Sequence, residues 1–324
     1  QGPVKNCCFL SPGQAYAFNA FEELGFWLED NHHYCLCEKC RTPIRLPDGN
    51  LIREDNPLFR GTQFYANGSA MINAVNVYTK RTMRIEPIGY FWMSAPPATE
   101  VSRNYTVRFC PYLRKNYSEP IYAPCNDLFW RNMYRWGQVP GVKLFLYDYF
   151  ITVTYRPWAG IAKYDIPAER DIGVELISHE GTADVIDMME RWTTLRLFRQ
   201  PAADPVALRH YWIARTFREA APEMEKFYAT MNNYVWTDFA PKQLMEFDDL
   251  AWVGTRAFLT KSAAAGLLHP GLNVMDELDG YVEAAWKEVE NPMSRAALEA
   301  FRKRWKSYYN EAKGYAEQLK AQDR

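Results

Sequence analysis

Val142-Lys143-Leu144-Phe145-Leu146-Tyr147-Asp148 is an almost unbroken apolar run that ends on a carboxylate. A run this short, without polar alternation, fits a strand covered on both faces in a parallel sheet. The flanks agree. Upstream, Asn126 can cap a helix reaching Trp136; downstream, Asp165 and Pro167 mark the start of a short helix. A second run, residues 174–178, leads to His179 and Glu180, and Thr182 can cap a helix carrying Val185, Met189, Trp192 and Leu195. Apolar strands alternating with amphipathic helices predict an α/β architecture on a parallel sheet.

Towards the N-terminus the same unit is less regular. Cys7 to Leu10 is a short apolar strand, and Ser11-Pro12-Gly13-Gln14 is a helix start with a capping Ser and an early Pro. Phe18, Phe21, Leu24 and Phe26 fall near helical spacing, so this helix is expected to run to about Glu29 and leave no room for a strand before Asp30. Residues 46–61 read as a loop, 69–80 as a helix, and 85–92 and 105–110 as strands. Five strands are too few for an eight-stranded closed barrel. Either the N-terminal half of a barrel lies outside this chain, or the sheet is smaller and open.

Beyond Gln200-Pro201 the pattern becomes helical. Asp204-Pro205 starts a helix with Leu208, Tyr211, Ala214 and Phe217, and Asn291-Pro292 starts one with Leu298, Phe301, Trp305 and Tyr308. Two domains are expected: residues 1–200, the α/β part, and residues 201–324, a C-terminal helical region.

Composition narrows the function classes. The 324 residues carry a net charge of −1, so no basic surface for phosphates is expected. The one candidate, Arg302-Lys303-Arg304-Trp305-Lys306, fits the solvated face of a helix. No apolar run approaches a membrane span, and the start at Gln1 reads as a processed or trimmed one. The 11 Trp, 21 Tyr and 18 Phe are an unusually large aromatic share; such faces fill large cores and also line sugar clefts.

In parallel α/β proteins functional side chains gather at the carboxyl ends of strands. That rule selects Asp148 and Glu180, which could be the acid and base or nucleophile pair of a glycosidase or ordinary polar strand ends, with Trp92, Tyr149 and His179 as substrate-binding candidates nearby. The densest segment is Glu29-Asp30-Asn31-His32-His33-Tyr34-Cys35-Leu36-Cys37-Glu38-Lys39-Cys40. Its C-x-C-x-x-C spacing suits a structural zinc ion, with His33, Cys110 or Cys125 as fourth ligand. The same thiols could instead form disulfides with Cys110 and Cys125. A catalytic zinc would use Glu29 or Asp30 as general base. No other cofactor is required. Asn31 and His32 join the candidate substrate-binding residues, and His32 and His33 can titrate near neutrality. Cys7 and Cys8 read as core thiols.

The segment from Asp30 through Cys40 resembles the signature of a bacterial family catalogued as a domain of unknown function, DUF4838. Residues 90–97, Cys110, Cys125, Leu146-Tyr147-Asp148-Tyr149 and Glu180-Gly181 are similar to its later pieces. The resemblance covers roughly residues 1 to 235. It implies a (β/α)8 TIM-barrel-like domain related to glycoside hydrolases, a following helical region, export by polysaccharide-degrading bacteria to a secreted or periplasmic location, and a carbohydrate substrate. It also matches Asp30 and Glu180 to acidic positions of the family. Three readings follow: a glycoside hydrolase using two of Asp30, Asp148 and Glu180; a non-catalytic carbohydrate-binding protein stacking sugars on Trp92, Trp136 and Trp158; and a zinc-dependent hydrolase centred on Cys35, Cys37 and Cys40.

Overall fold

The computed structural model describes residues 23–27, 33–111, 114, 119–148, 159–179, 184–233 and 275–322. The chain forms two compact units, each assembled from several stretches. The first is Gln1–Cys110, Arg131–Leu146 and Gly173–Leu176; the second is Pro111–Trp130, Tyr147–Ile172 and Ile177–Arg324.

The main sheet consists of β1 (Glu23–Phe26), β4 (Arg84–Gly89), β5 (Thr106–Phe109), β6 (Lys143–Asp148) and β7 (Val174–His179), adjacent in that order. It is parallel. Each strand therefore lies beside its predecessor, with no reversal of the winding such as defines a doubly wound sheet. A small antiparallel pair, β2 (Ile44–Arg45) and β3 (Leu51–Ile52), forms a separate sheet.

β1 corrects the sequence reading. Leu24 and Phe26 belong to a strand, with Glu23 to Phe26 paired in parallel with Arg84 to Pro87. A four-residue strand of this kind is held by backbone bonds to a partner sixty positions away along the chain, which local periodicity does not reveal. A strand thus does precede Asp30. The readings at Cys7 to Leu10 and Ser11 to Gln14 lie outside the described residues.

Helix α1 (Glu38–Arg41) is a single turn, and α2 (Phe59–Thr79) is a long helix that begins ten residues before the predicted start. The loop expected over residues 46–61 overlaps its first turn, and the glycines of its first half sit where neighbours leave little room. A Cβ at Gly68 would stand 2.6 Å from the Tyr105 hydroxyl, and one at Gly61 would stand 3.3 Å from the Trp92 carbonyl. The core of this unit is aromatic: Phe59, Tyr65, Tyr105, Phe109 and Trp136 are all fully buried. The Tyr65 hydroxyl donates to the Met93 carbonyl at 2.7 Å and the Trp136 indole to the Ser94 carbonyl at 2.9 Å, so these rings bury little unsatisfied polarity. Trp136, proposed as a sugar platform, is a core residue with no exposed face. It lies near the end of α3 (Asp127–Gly137).

Helix α4 (Ala159–Asp171) also differs from its prediction: it starts six residues before Asp165 and contains Pro167. Five further helices lie in the second unit: α5 (Met188–Arg199), α6 (Pro205–Phe217), α7 (Ala221–Asn233), α8 (Met275–Glu288) and α9 (Pro292–Gln322). On α9 the predicted face is the buried one, for Leu298, Phe301, Trp305 and Tyr308 all enter the core. Phe227 meets Trp305 and Phe301 edge-on at 5.0 and 5.2 Å. On α6 the buried face is rotated: Ile213 and Phe217 are inside, whereas Tyr211 and Ala214 are exposed. On α5, Leu195 is likewise exposed, because Glu190, Thr193 and Thr194 share the buried face with Met189 and Leu197.

Both helix starts carry the expected caps. The Asp204 carboxylate accepts from the Val206 amide at 3.0 Å, and the Asn291 side chain accepts from the amides of Met293 and Ser294. Asp204→Ala is expected to cost about 1 kcal/mol in denaturant unfolding, the usual value of an N-cap. The basic run on α9 is committed to carboxylates: Arg302 to Glu283 at 2.8 Å, Arg304 to Asp184 at 2.7 Å and Lys306 to Asp279 at 2.6 Å. Among the described residues no helix is long and apolar enough to cross a membrane.

Candidate functional site

Along β6, Leu144, Leu146 and Asp148 alternate with less buried residues, as the two-residue period of a strand requires. Asp148 is therefore on the same buried face as two leucines, and only 3% of its surface is exposed. It lines a small cavity with Arg114, Asp165, Glu169, Ala162, Ile166 and Phe198. The space measures about 10 Å³, close to the room one water molecule needs.

The charges around this cavity are tightly organised. Arg114 donates to the Asp165 carboxylate at 2.8 Å and to the Glu119 carbonyl at 2.5 Å. The other Asp165 oxygen accepts from the Ile121 amide at 2.7 Å. Burial pushes the Asp165 carboxyl up, while Arg114 opposes that shift. Glu169 sits one helical turn further along α4 and is fully enclosed. Burial first, then repulsion from Asp165 and Asp148, drives its carboxyl well above the ordinary range, with Arg114 a smaller opposing influence. Burial thus raises two neighbouring carboxyls here, Glu169 more than Asp165, which keeps Arg114 as its partner.

Arg114, Asp165 and Glu169 are not among the site residues expected from the sequence. A signal was present on α4: Ala159, Ala162, Ile166 and Glu169 fall on one stripe, and Asp165 borders it. Two acids on an otherwise apolar stripe mark a polar cluster facing inward. Starting the helix at Asp165 concealed that stripe.

A second acidic group precedes α5. Asp187 is buried, one of its carboxylate oxygens has no hydrogen-bond partner among the described residues, and its carboxyl is pushed up to about 8 by burial and then by Asp184 and Glu190. Nearby, the Glu190 carboxylate accepts from Nε and Nη2 of Arg209 at 2.5 and 2.8 Å. An unfolded aspartate ionises near 3.8, so between that value and about 8 the folded chain binds more protons than the unfolded one. Stability is thus expected to fall as pH rises through this window, with no contribution from Asp187 below it and the full penalty above it. Unfolding curves from pH 4 to pH 9 should show the decline, and Asp187→Asn should reduce it.

In the first unit, the segment following β1 contains the thiols. The sulfur atoms of Cys35, Cys37 and Cys40 lie within 4.8 Å of one another, and neither His33 nor Cys110 joins that group. All five described cysteines are free thiols. The Cys37 thiol is lowered to about 7, chiefly by the Cys40 backbone amide, whereas Cys40 is raised to about 11, chiefly by its interaction with Cys37. Cys37 and Cys40 are thus shifted in opposite directions, so the first of these two thiolates to form suppresses the other. Arg60, near the start of α2, donates to the Cys40 carbonyl at 2.7 Å, and Gln63 donates to the same oxygen at 2.9 Å.

Aromatic rings adjoin this loop. The Arg60 guanidinium lies 4.4 Å from the Tyr34 ring centre, and Tyr34 meets Trp92 edge-on at 6.0 Å. Trp92 is half-buried, packs edge-on against Phe64 at 6.2 Å, and its indole N–H has no partner among the described residues. Trp27, directly after β1, is 53% exposed, with Arg108 at 5.8 Å from its ring. Sequence reading overlooked it by assigning that stretch to a helix. Of the other predicted residues, Asp30, Asn31, His32, Tyr149, Trp158 and Glu180 lie outside the described residues, and His179 is described only as the last residue of β7.

These features define a parallel α/β protein whose sheet winds in chain order, with a buried acidic cluster at a strand's carboxyl end and a three-thiol loop after β1. Residues 25–229 match the family described as Domain of unknown function (DUF4838), and the chain belongs to that family. No curated protein and no solved structure matches it.

Proposed function

We propose that the protein is a glycoside-hydrolase-like enzyme that cleaves a polysaccharide or oligosaccharide by carboxylate general acid–base catalysis at the carboxyl ends of its strands. The observation that carries this reading is Asp148. It ends β6 beside a proton-holding Glu169. Its partner is Glu180, which follows the last residue of β7, the strand adjacent to β6 in the sheet. One carboxyl protonates the leaving oxygen; the other attacks the sugar or activates water. A separation of about 5–5.5 Å would give retention of configuration, and about 6.5–9.5 Å inversion. Five parallel strands in chain order fit an arc of a (β/α)8 barrel. A polysaccharide substrate fits a secreted or periplasmic protein.

The small volume beside Asp148 favours one alternative, a carbohydrate-binding protein on a barrel that has lost its chemistry. Incubation with an oligosaccharide panel, scored for new reducing ends and for binding, separates the two. Hydrolysis supports the enzyme, and binding without hydrolysis supports the alternative. Neither activity overturns both.

A further inference from the structure

We propose that Cys35, Cys37 and Cys40 together bind one soft divalent cation of the zinc class. The geometry is nearly that of an occupied site. Zinc–sulfur bonds of about 2.3 Å in a tetrahedron place neighbouring sulfurs about 3.8 Å apart. The three sulfurs already lie within 4.8 Å of one another, so closing around an ion takes roughly 1 Å or less of movement.

Disulfide chemistry fits this cluster less well. Three thiols cannot all pair among themselves, and Cys110, in the same unit, lies outside the group. A metal uses all three. The loop is also braced as a metal site requires, by partners that fix the backbone behind the ligands. Arg60 holds the carbonyls of Cys35 and Cys40, at 3.4 and 2.7 Å, and Gln63 holds the latter again. Both belong to α2, a helix of 21 residues, so the brace is rigid. The Arg60 guanidinium also brings positive charge to a group whose thiolates outnumber the charges of a divalent ion. Cys35 and Cys37 are exposed and Cys40 partly so, which leaves an entry path. The described residues supply three ligands; a water or one further nitrogen or sulfur ligand completes the tetrahedron.

The role this implies is structural. The ion ties Cys35 to the single turn of α1 and fixes the chain that follows β1. It is independent of glycan cleavage, and its test reads metal rather than turnover. Protein purified under reducing conditions should contain about one zinc per chain by elemental analysis. After chelation, titration with cobalt chloride should produce one equivalent of a thiolate-to-cobalt charge-transfer band, and chelation should lower the melting temperature until zinc is restored. Cys37→Ser and Cys40→Ser should each reduce bound metal at least about tenfold. Because such variants could misfold, the cobalt titration of the unaltered chain decides the matter. Absence of a charge-transfer band in fully reduced, folded protein overturns the proposal. So does a disulfide among these cysteines in native, non-reduced protein.

Discussion

Replacing Asp148 by asparagine is expected to leave the chain folded and to lower glycan turnover by about 10²–10⁴-fold, the usual contribution of a positioned acid or base. The amide has the size of the carboxylate but can neither take up nor release the proton. Asp148 is one of the charges that repel the Glu169 carboxylate. Removing that charge should let Glu169 ionise at a lower pH, which infrared or NMR titration of its carboxyl would detect. Binding of the same sugar should persist. Full turnover in Asp148→Asn would remove this residue from the chemistry, whatever the fate of the Glu169 shift.

Arg114→Met is expected to destabilise the second unit by about 3–5 kcal/mol, the cost of removing one partner from a buried ion pair. The Arg114 and Asp165 side chains are 1% and 8% exposed, so water cannot replace the lost contact. Asp165, Glu169 and Asp148 would then line a cavity with no cation among its described lining residues, which favours proton uptake by a further carboxyl. Adding Asp165→Asn to Arg114→Met should recover a good part of the loss by removing the stranded charge. Denaturant unfolding of the two single variants and the double variant measures this directly. Additive losses would show that the pair acts through packing instead.

The parts of this fold legible in the sequence were those whose signals are local. The run ending at Asp148, the Pro-started helices at Asp204 and Asn291, and the buried stripe of Leu298, Phe301 and Trp305 each depend on neighbours within one or two turns. What escaped depends on distant partners. Glu23–Phe26 is a strand because Arg84–Pro87 lies beside it. Gly68 is tolerated in a helix because a Cβ there would stand 2.6 Å from the Tyr105 hydroxyl, and Gly61 because the Trp92 carbonyl leaves it little room. The face of α5 is turned by Glu190, which is stabilised in the interior by Arg209 from the following helix. The site divides the same way. Asp148 and the three cysteines were visible as a strand end and as a spacing. Glu169 had a signal in the stripe of α4 that the late helix start hid, whereas Arg114 became visible only when burial brought the charges together.

A structure of the protein exposed to a mixture of oligosaccharides tests the central claim most directly. A sugar ring is expected at the carboxyl ends of the strands, with its glycosidic oxygen or a bridging water about 2.6–3.2 Å from the Asp148 carboxylate. A ring bound only against the C-terminal helices, with Asp148 still enclosed and out of reach, would contradict it.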